Sequence, residues 1–150
     1  MKNVLFPYVK YFKIIVVDFE YSAPNPASYD IANHFHEWTA NYHSKTPHLL
    51  DISRYPSLEE RYNFYLSYLH HTCLKEFQHP IVDLESTMVK LDRQVQIWSP
   101  ASHALWLVWG IVQARDDLEN YIETPEFDYI AYARCRLACF RRELRELGVL

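Results

Sequence analysis

The chain has 150 residues, 49% of them apolar, which suffices for one domain with its own core. A net charge of −4 without a basic cluster argues against nucleic-acid binding. Two glycines in all leave no glycine-rich phosphate loop, so any nucleotide cradle lies elsewhere.

The first element is Ile14–Val17, a β-branched apolar run that predicts a short buried strand. It stops on Asp18-Phe19-Glu20-Tyr21 and so delivers a carboxylate at a sheet edge. That placement suits Mg²⁺, which prefers hard oxygen ligands, but a solvated strand end would look the same locally. Pro24 and Pro26 mark a turn before a helix over Ser28–Asn41. The stretch His43–Pro56 is a polar, proline-containing connection. Ser57-Leu58-Glu59-Glu60 fits a capping box and opens an amphipathic helix to about Phe77. Pro80 starts another, to about Trp98, and Ser99-Pro100 reads as a cap with an N1 proline opening the next. Thr124-Pro125 repeats the device before a last helix that ends at Gly148. No repeat, low-complexity tract or second domain boundary interrupts the series.

Other features read as ordinary. Arg134, Arg136, Arg141, Arg142 and Arg145 are balanced by Glu143 and Glu146, which predicts a solvated helix face. Three cysteines form no disulfide framework, and Cys135 and Cys139, four apart without a second pair at zinc spacing, read as reduced core residues. His34 and His36 face apart on a helix and make a poor metal pair, while His70-His71 read as solvated. Without a signal-peptide pattern, and with Ala104–Val112 about half the ~20 residues of a membrane span, the chain is expected in the cytoplasm, with no transmembrane segment.

Trp106 and Trp109, three apart, are neighbours on one helix face. The pair can be core, or part of a cage for a quaternary ammonium, which has no N–H to donate and is recognised by ring faces.

Taken together, the motifs resemble those of the choline/ethanolamine kinase family. They are Asp18-x-Glu20-Tyr21, Asn25, Tyr29-Asp30, His34-Phe35-x-Glu37-Trp38 and Tyr42. A second block is Trp106-x-x-Trp109 in Ser102–Ala114, and a third is the aromatic segment Phe127–Arg134. The resemblance implies an α+β, predominantly α fold: a protein-kinase-like C-terminal lobe with a short N-terminal strand or hairpin and about five helices, residues 1–150 forming a single partial domain.

It also implies ATP-dependent phosphorylation of choline or ethanolamine in phospholipid biosynthesis, with Mg²⁺ as cofactor and ATP as co-substrate. Asp18 and Asn3 are then the expected Mg²⁺ ligands. Tyr21, Glu37, Tyr42, Trp106, Trp109, Tyr132 and Phe127 are expected to line the amine pocket, with Glu126 near its wall. Asp30 is expected to brace the catalytic loop, and Glu20 to bond neighbouring backbone or lie near the metal. Glu37 and Tyr42 are five apart, so Tyr42 must lie at or beyond the helix end. Relatives carry an ATP lobe and a loop His-x-Asp-x₄-Asn before this point; only thirteen residues precede Ile14, and Met1–Lys13 contain no His or Asp. The chain therefore reads as truncated and inactive alone, from an enzyme whose full-length form is a homodimer. A non-catalytic choline-binding remnant and a helical interaction domain remain alternatives.

Overall fold

The computed structural model describes residues 20–76, 83–120 and 126–150, with Ile15 and Val17; for 73–76 it describes the backbone alone. Four α-helices make up the described residues: α1 Ala27–Glu37, α2 Leu58–Glu76, α3 Leu84–Glu119 and α4 Tyr129–Glu146, with a 3₁₀ turn at Ile52–Arg54. The expected helical character holds. Among the described residues there is no strand: Ile15 and Val17 are exposed and irregular, while Ile14, Val16 and Asp18 lie outside the described residues.

Helix α3 is the spine, packing against each of the other three and most extensively against α4. On α1 the buried positions are Ser28, Ile31, Ala32, Phe35 and His36, a stripe at three- and four-residue spacing. Ile31 and Phe35 meet Tyr65 of α2 and Leu91 and Val95 of α3 to form the main core, with Tyr55, Phe64 and Met88 packed around it. One carboxylate sits in this seam. Asp92 is buried and accepts from Arg61 Nε (2.8 Å), Tyr65 Oη (2.9 Å) and Gln96 Nε2 (2.9 Å), which compensates its desolvation.

The helix ends follow local chemistry. The Ser57 capping box forms as expected: Glu60 N–H donates to Ser57 Oγ (3.3 Å) and Ser57 N–H to Glu60 Oε2 (2.8 Å). At the other end of the chain, Gly148 adopts φ 72°. There Gly148 N–H bonds Arg145 O and Val149 N–H bonds Leu144 O, closing α4 in a Schellman motif. Helix α4 starts later than expected, capped by Asp128 Oδ1 on Ala131 N–H (2.8 Å); Thr124-Pro125 lie outside the described residues.

Two sequence expectations are corrected. Ser99-Pro100 does not open a new helix, because α3 runs straight through it, and among the described residues the expected count of about five helices becomes four. Pro100 forfeits one intrahelical hydrogen bond. Ser99 is not a free cap: its hydroxyl lies 2.8 Å from His36 Nε2, so it ties α1 to α3. The second correction is Arg136. Unlike its exposed neighbours Arg134, Arg141 and Arg145, it is wholly buried, because it falls on the stripe Tyr132, Ala133, Arg136, Cys139 that α4 turns inward.

Candidate functional site

Where α1, α3 and α4 converge, a cavity of about 340 Å³ opens, lined by Asn33, Glu37, Tyr42, Trp106, Trp109, Phe127, Tyr129 and Tyr132. Gly110 makes the convergence possible. A Cβ there would stand 3.0 Å from Tyr132 Cδ1 and 3.2 Å from Tyr129 O, so the missing side chain lets α4 close on α3 beside Trp109. The rings meet edge to face: Trp106–Trp109 at 5.5 Å and 77°, Trp109–Tyr129 at 5.5 Å, Trp109–Tyr132 at 6.0 Å and Phe127–Tyr132 at 5.5 Å. Such contacts are favourable in themselves and build a box of differently inclined walls.

The indole edges are tied down. Trp106 Nε1–H donates to Asn33 Oδ1 (2.6 Å), and Trp109 Nε1–H donates to Tyr21 Oη (2.9 Å). Asn33 Oδ1 also accepts from Ser102 Oγ (2.8 Å). With both indole N–H groups engaged, what each tryptophan offers a guest is its π face, which attracts cations.

The charge at the rim is Glu37. Tyr42, beyond the end of α1 as its spacing requires, donates to Glu37 Oε2 (2.8 Å). Burial, and then the Glu37 carboxylate, push the Tyr42 hydroxyl above its usual pKa, so it stays protonated as a donor. On the other side Arg136 Nη2 lies 3.5 Å from Glu37 Oε1, Nε–H donates to Tyr132 Oη (3.0 Å), and the guanidinium sits 5.1 Å from the Tyr132 ring centre. One buried cation thus braces both the acid and a ring of the box.

Behind Arg136 lies a polar cluster that sequence reasoning missed. His36 and His103 are buried and stacked at 3.9 Å. His103 Nε2 is 3.2 Å and His36 Nε2 is 3.6 Å from Glu143 Oε1. Three potential metal-ligand atoms lie within 4.8 Å of one another. The chemistry favours a hydrogen-bonded hub instead. Arg136 Nη1 faces His103 Nδ1 at 3.4 Å and has only protons to offer, which places the His103 proton on Nε2, toward Glu143. Burial lowers the His103 pKa to about 4, against the pull of Glu143, so the ring is neutral near pH 7. Burial alone would raise Glu143, but the hydrogen bond from His103, together with the adjoining His36 ring, outweighs it and holds its pKa below the usual carboxylate range. From His36, Nδ1 contacts Ser102 Oγ (3.1 Å), which leads through Asn33 to Trp106. The signal that could have found the hub is the buried face of α3, where Ser99, Ser102 and His103 sit together.

Of the residues predicted from sequence, the structure brings together Glu37, Tyr42, Trp106, Trp109, Phe127 and Tyr132, and joins Tyr21 to them through Trp109. Asn33 and Tyr129 join them without having been predicted. Glu126 is exposed, as are Glu20 and Asp30. The expected metal ligands Asp18 and Asn3 lie outside the described residues.

The sequence model of the choline/ethanolamine kinase family matches residues 2–141. This chain belongs to that family. It is 41% identical over 82% of its length to "Probable choline kinase 2" of Arabidopsis thaliana, covering 31% of that protein. Against mouse "Choline kinase alpha" identity is 36%, over 91% of the chain and 29% of the relative. Against an Arabidopsis "Probable ethanolamine kinase" it is 34%, over 87% and 30%. The chain thus spans about a third of the length of these choline and ethanolamine kinase relatives.

Proposed function

We propose that this chain is the amine-binding part of a kinase that phosphorylates choline or ethanolamine with ATP, in phospholipid biosynthesis. The observation that carries the reading is the cavity: half-buried ring faces around a carboxylate anchored by Tyr42. An ammonium there exchanges water for π faces, each worth about 0.5–2 kcal/mol, and for the Glu37 charge. The substrate hydroxyl is then presented to the phosphate, and positioning is the main task in phosphoryl transfer. Asp18 and Asn3 are the proposed Mg²⁺ ligands, and Mg²⁺ would supply charge neutralisation on the ATP phosphates; oxygen donors of these two types suit it. The family resemblance supports extending the reading to a cytoplasmic, homodimeric full-length enzyme. No helix among the described residues is long and apolar enough to cross a membrane.

No His-x-Asp occurs anywhere in the 150 residues, so the group that orients the substrate hydroxyl must come from elsewhere. We therefore expect no turnover from the chain alone in an ADP-release assay. A chimera with the preceding two-thirds of the 41%-identical Arabidopsis relative should turn over choline or ethanolamine at about 1–10³ s⁻¹. Turnover by the chain alone would contradict the first expectation, and a folded chimera inert with both amines would overturn the reading.

A further inference from the structure

Charge does not separate choline from ethanolamine, because each brings one cationic nitrogen; the hydrogen bonds each asks for do. A primary ammonium carries three N–H donors and a trimethylammonium none. Around the cavity, the protein's own donors already engage the acceptors. Asn33 Oδ1 receives both Trp106 Nε1–H (2.6 Å) and Ser102 Oγ–H (2.8 Å). An indole N–H can only donate, so the oxygen of the Asn33 amide is the atom that faces it. Glu37 Oε2 receives Tyr42 Oη–H at 2.8 Å, and Glu37 Oε1 faces Arg136 Nη2 at 3.5 Å. Tyr132 Oη receives Arg136 Nε–H (3.0 Å), and Tyr21 Oη receives Trp109 Nε1–H (2.9 Å). Arg136 is wholly buried and its Nη2 makes no hydrogen bond among the described residues, so the Glu37 charge is what compensates it.

We propose that the cavity selects a quaternary over a primary ammonium, and that Tyr42 and Arg136 set this preference by occupying the acceptors of Glu37 and Tyr132. The selectivity rests on the amine-binding reading and decides between its two substrates. An ethanolamine head group sheds water from three N–H groups on entering. It then finds only second lone pairs, on Glu37 and the tyrosine hydroxyls, and otherwise rings. A buried donor left without a partner costs its full desolvation. Choline brings no such donor. Its methyl groups carry the positive charge to the ring faces of Trp106, Trp109, Phe127 and Tyr132, whose inclined walls meet it from several sides. Tyr42 lines the cavity, whereas Arg136 stands behind it and acts through Glu37 and Tyr132 as a positioning residue.

The test is calorimetric titration of the chain near neutral pH with ethanolamine, its N-methyl and N,N-dimethyl derivatives, and choline. Affinity should rise with each methyl group. Choline should bind about tenfold or more tightly than ethanolamine, the equivalent of one unsatisfied N–H at ~1.4 kcal/mol. Tyr42→Phe returns a lone pair of Glu37 Oε2 to the guest, so it should weaken choline more than ethanolamine and narrow the ratio about threefold. Arg136→Met frees Glu37 Oε1 and Tyr132 Oη and should narrow it as well, while Arg136→Lys, which keeps a donor there, should hold the ratio nearer the wild type. A variant that only loosens packing weakens both amines alike and leaves the ratio unmoved. Should an Arg136 variant fail to fold, Tyr42→Phe alone decides. Saturable binding of both amines with equal affinity, tighter binding of ethanolamine, or an unmoved ratio in Tyr42→Phe would each overturn the inference and leave the amine-binding reading standing. Binding of neither amine by the folded chain would overturn that reading, and the selectivity with it.

Discussion

Replacing Gly110 by alanine tests whether the close approach of α3 and α4 builds the cavity. In an open helix the change stabilises by about 0.8–1 kcal/mol, because glycine is a poor helix former. Here the added Cβ would meet Tyr132 Cδ1 at 3.0 Å, Tyr129 O at 3.2 Å and Ala133 Cβ at 3.3 Å. Two of these contacts cannot yield cheaply. Tyr129 O is backbone, and Tyr132, 4% exposed, is held by Arg136 and wedged between Trp109 and Phe127. Overpacking of this kind costs about 1–3 kcal/mol, which outweighs the propensity gain. Gly110→Ala should therefore lose about 1 kcal/mol in urea denaturation followed by circular dichroism. It should also shift tryptophan emission, because Tyr132 is pushed against Trp109. A variant more stable than the wild type, with unchanged emission, would show that the helices are not in contact at Gly110 and would refute the packing described.

Tyr42→Phe removes the hydrogen bond that fixes Glu37 and should weaken choline binding about fivefold, the equivalent of ~1 kcal/mol, at unchanged stability; equal affinity would mean that Glu37 needs no anchor. Stability should fall on acidification. His103 titrates near pH 4 when folded but near ~6.5 unfolded, so the unfolded chain binds more protons between these values; stability is full above about pH 6.5 and about 2–3 kcal/mol is lost by pH 4.5. Glu143, held below its unfolded pKa, adds a further loss below about pH 4.3. Urea midpoints that do not change between pH 7 and 4.5 would contradict the buried neutral His103.

Much of this was legible because it is local. The Ser57/Glu60 box, the closing turn at Gly148 and the position of Tyr42 past the end of α1 depend on residues within a turn or two of each other. The aromatic cavity was legible through its motifs, since Trp106 and Trp109 share a helix face wherever that helix is placed. What escaped depends on partners far along the chain. Ser99, which reads as a cap beside Pro100, is instead engaged inside α3 by His36, more than sixty residues earlier, as is Ser102. Arg136 looks like a surface arginine until α1 supplies Glu37 and α3 supplies His103. Asn33 lies just before the His34-Phe35-x-Glu37-Trp38 motif, but its role became visible only when Trp106 and Ser102 converged on its oxygen.

The central claim is that the cavity recognises a cationic amine through ring faces and Glu37. Its most direct test is a pair of calorimetric titrations of the chain, with choline and with its uncharged isostere 3,3-dimethyl-1-butanol, repeated on Trp109→Leu. Shape and apolar area are nearly the same in the two ligands, so the difference isolates the charge. With two or more rings at about 0.5–2 kcal/mol each, choline should bind about tenfold or more tightly than the isostere, and Trp109→Leu should remove much of that margin. Equal affinity for the two ligands, or no saturable choline binding by the folded chain, would contradict the claim.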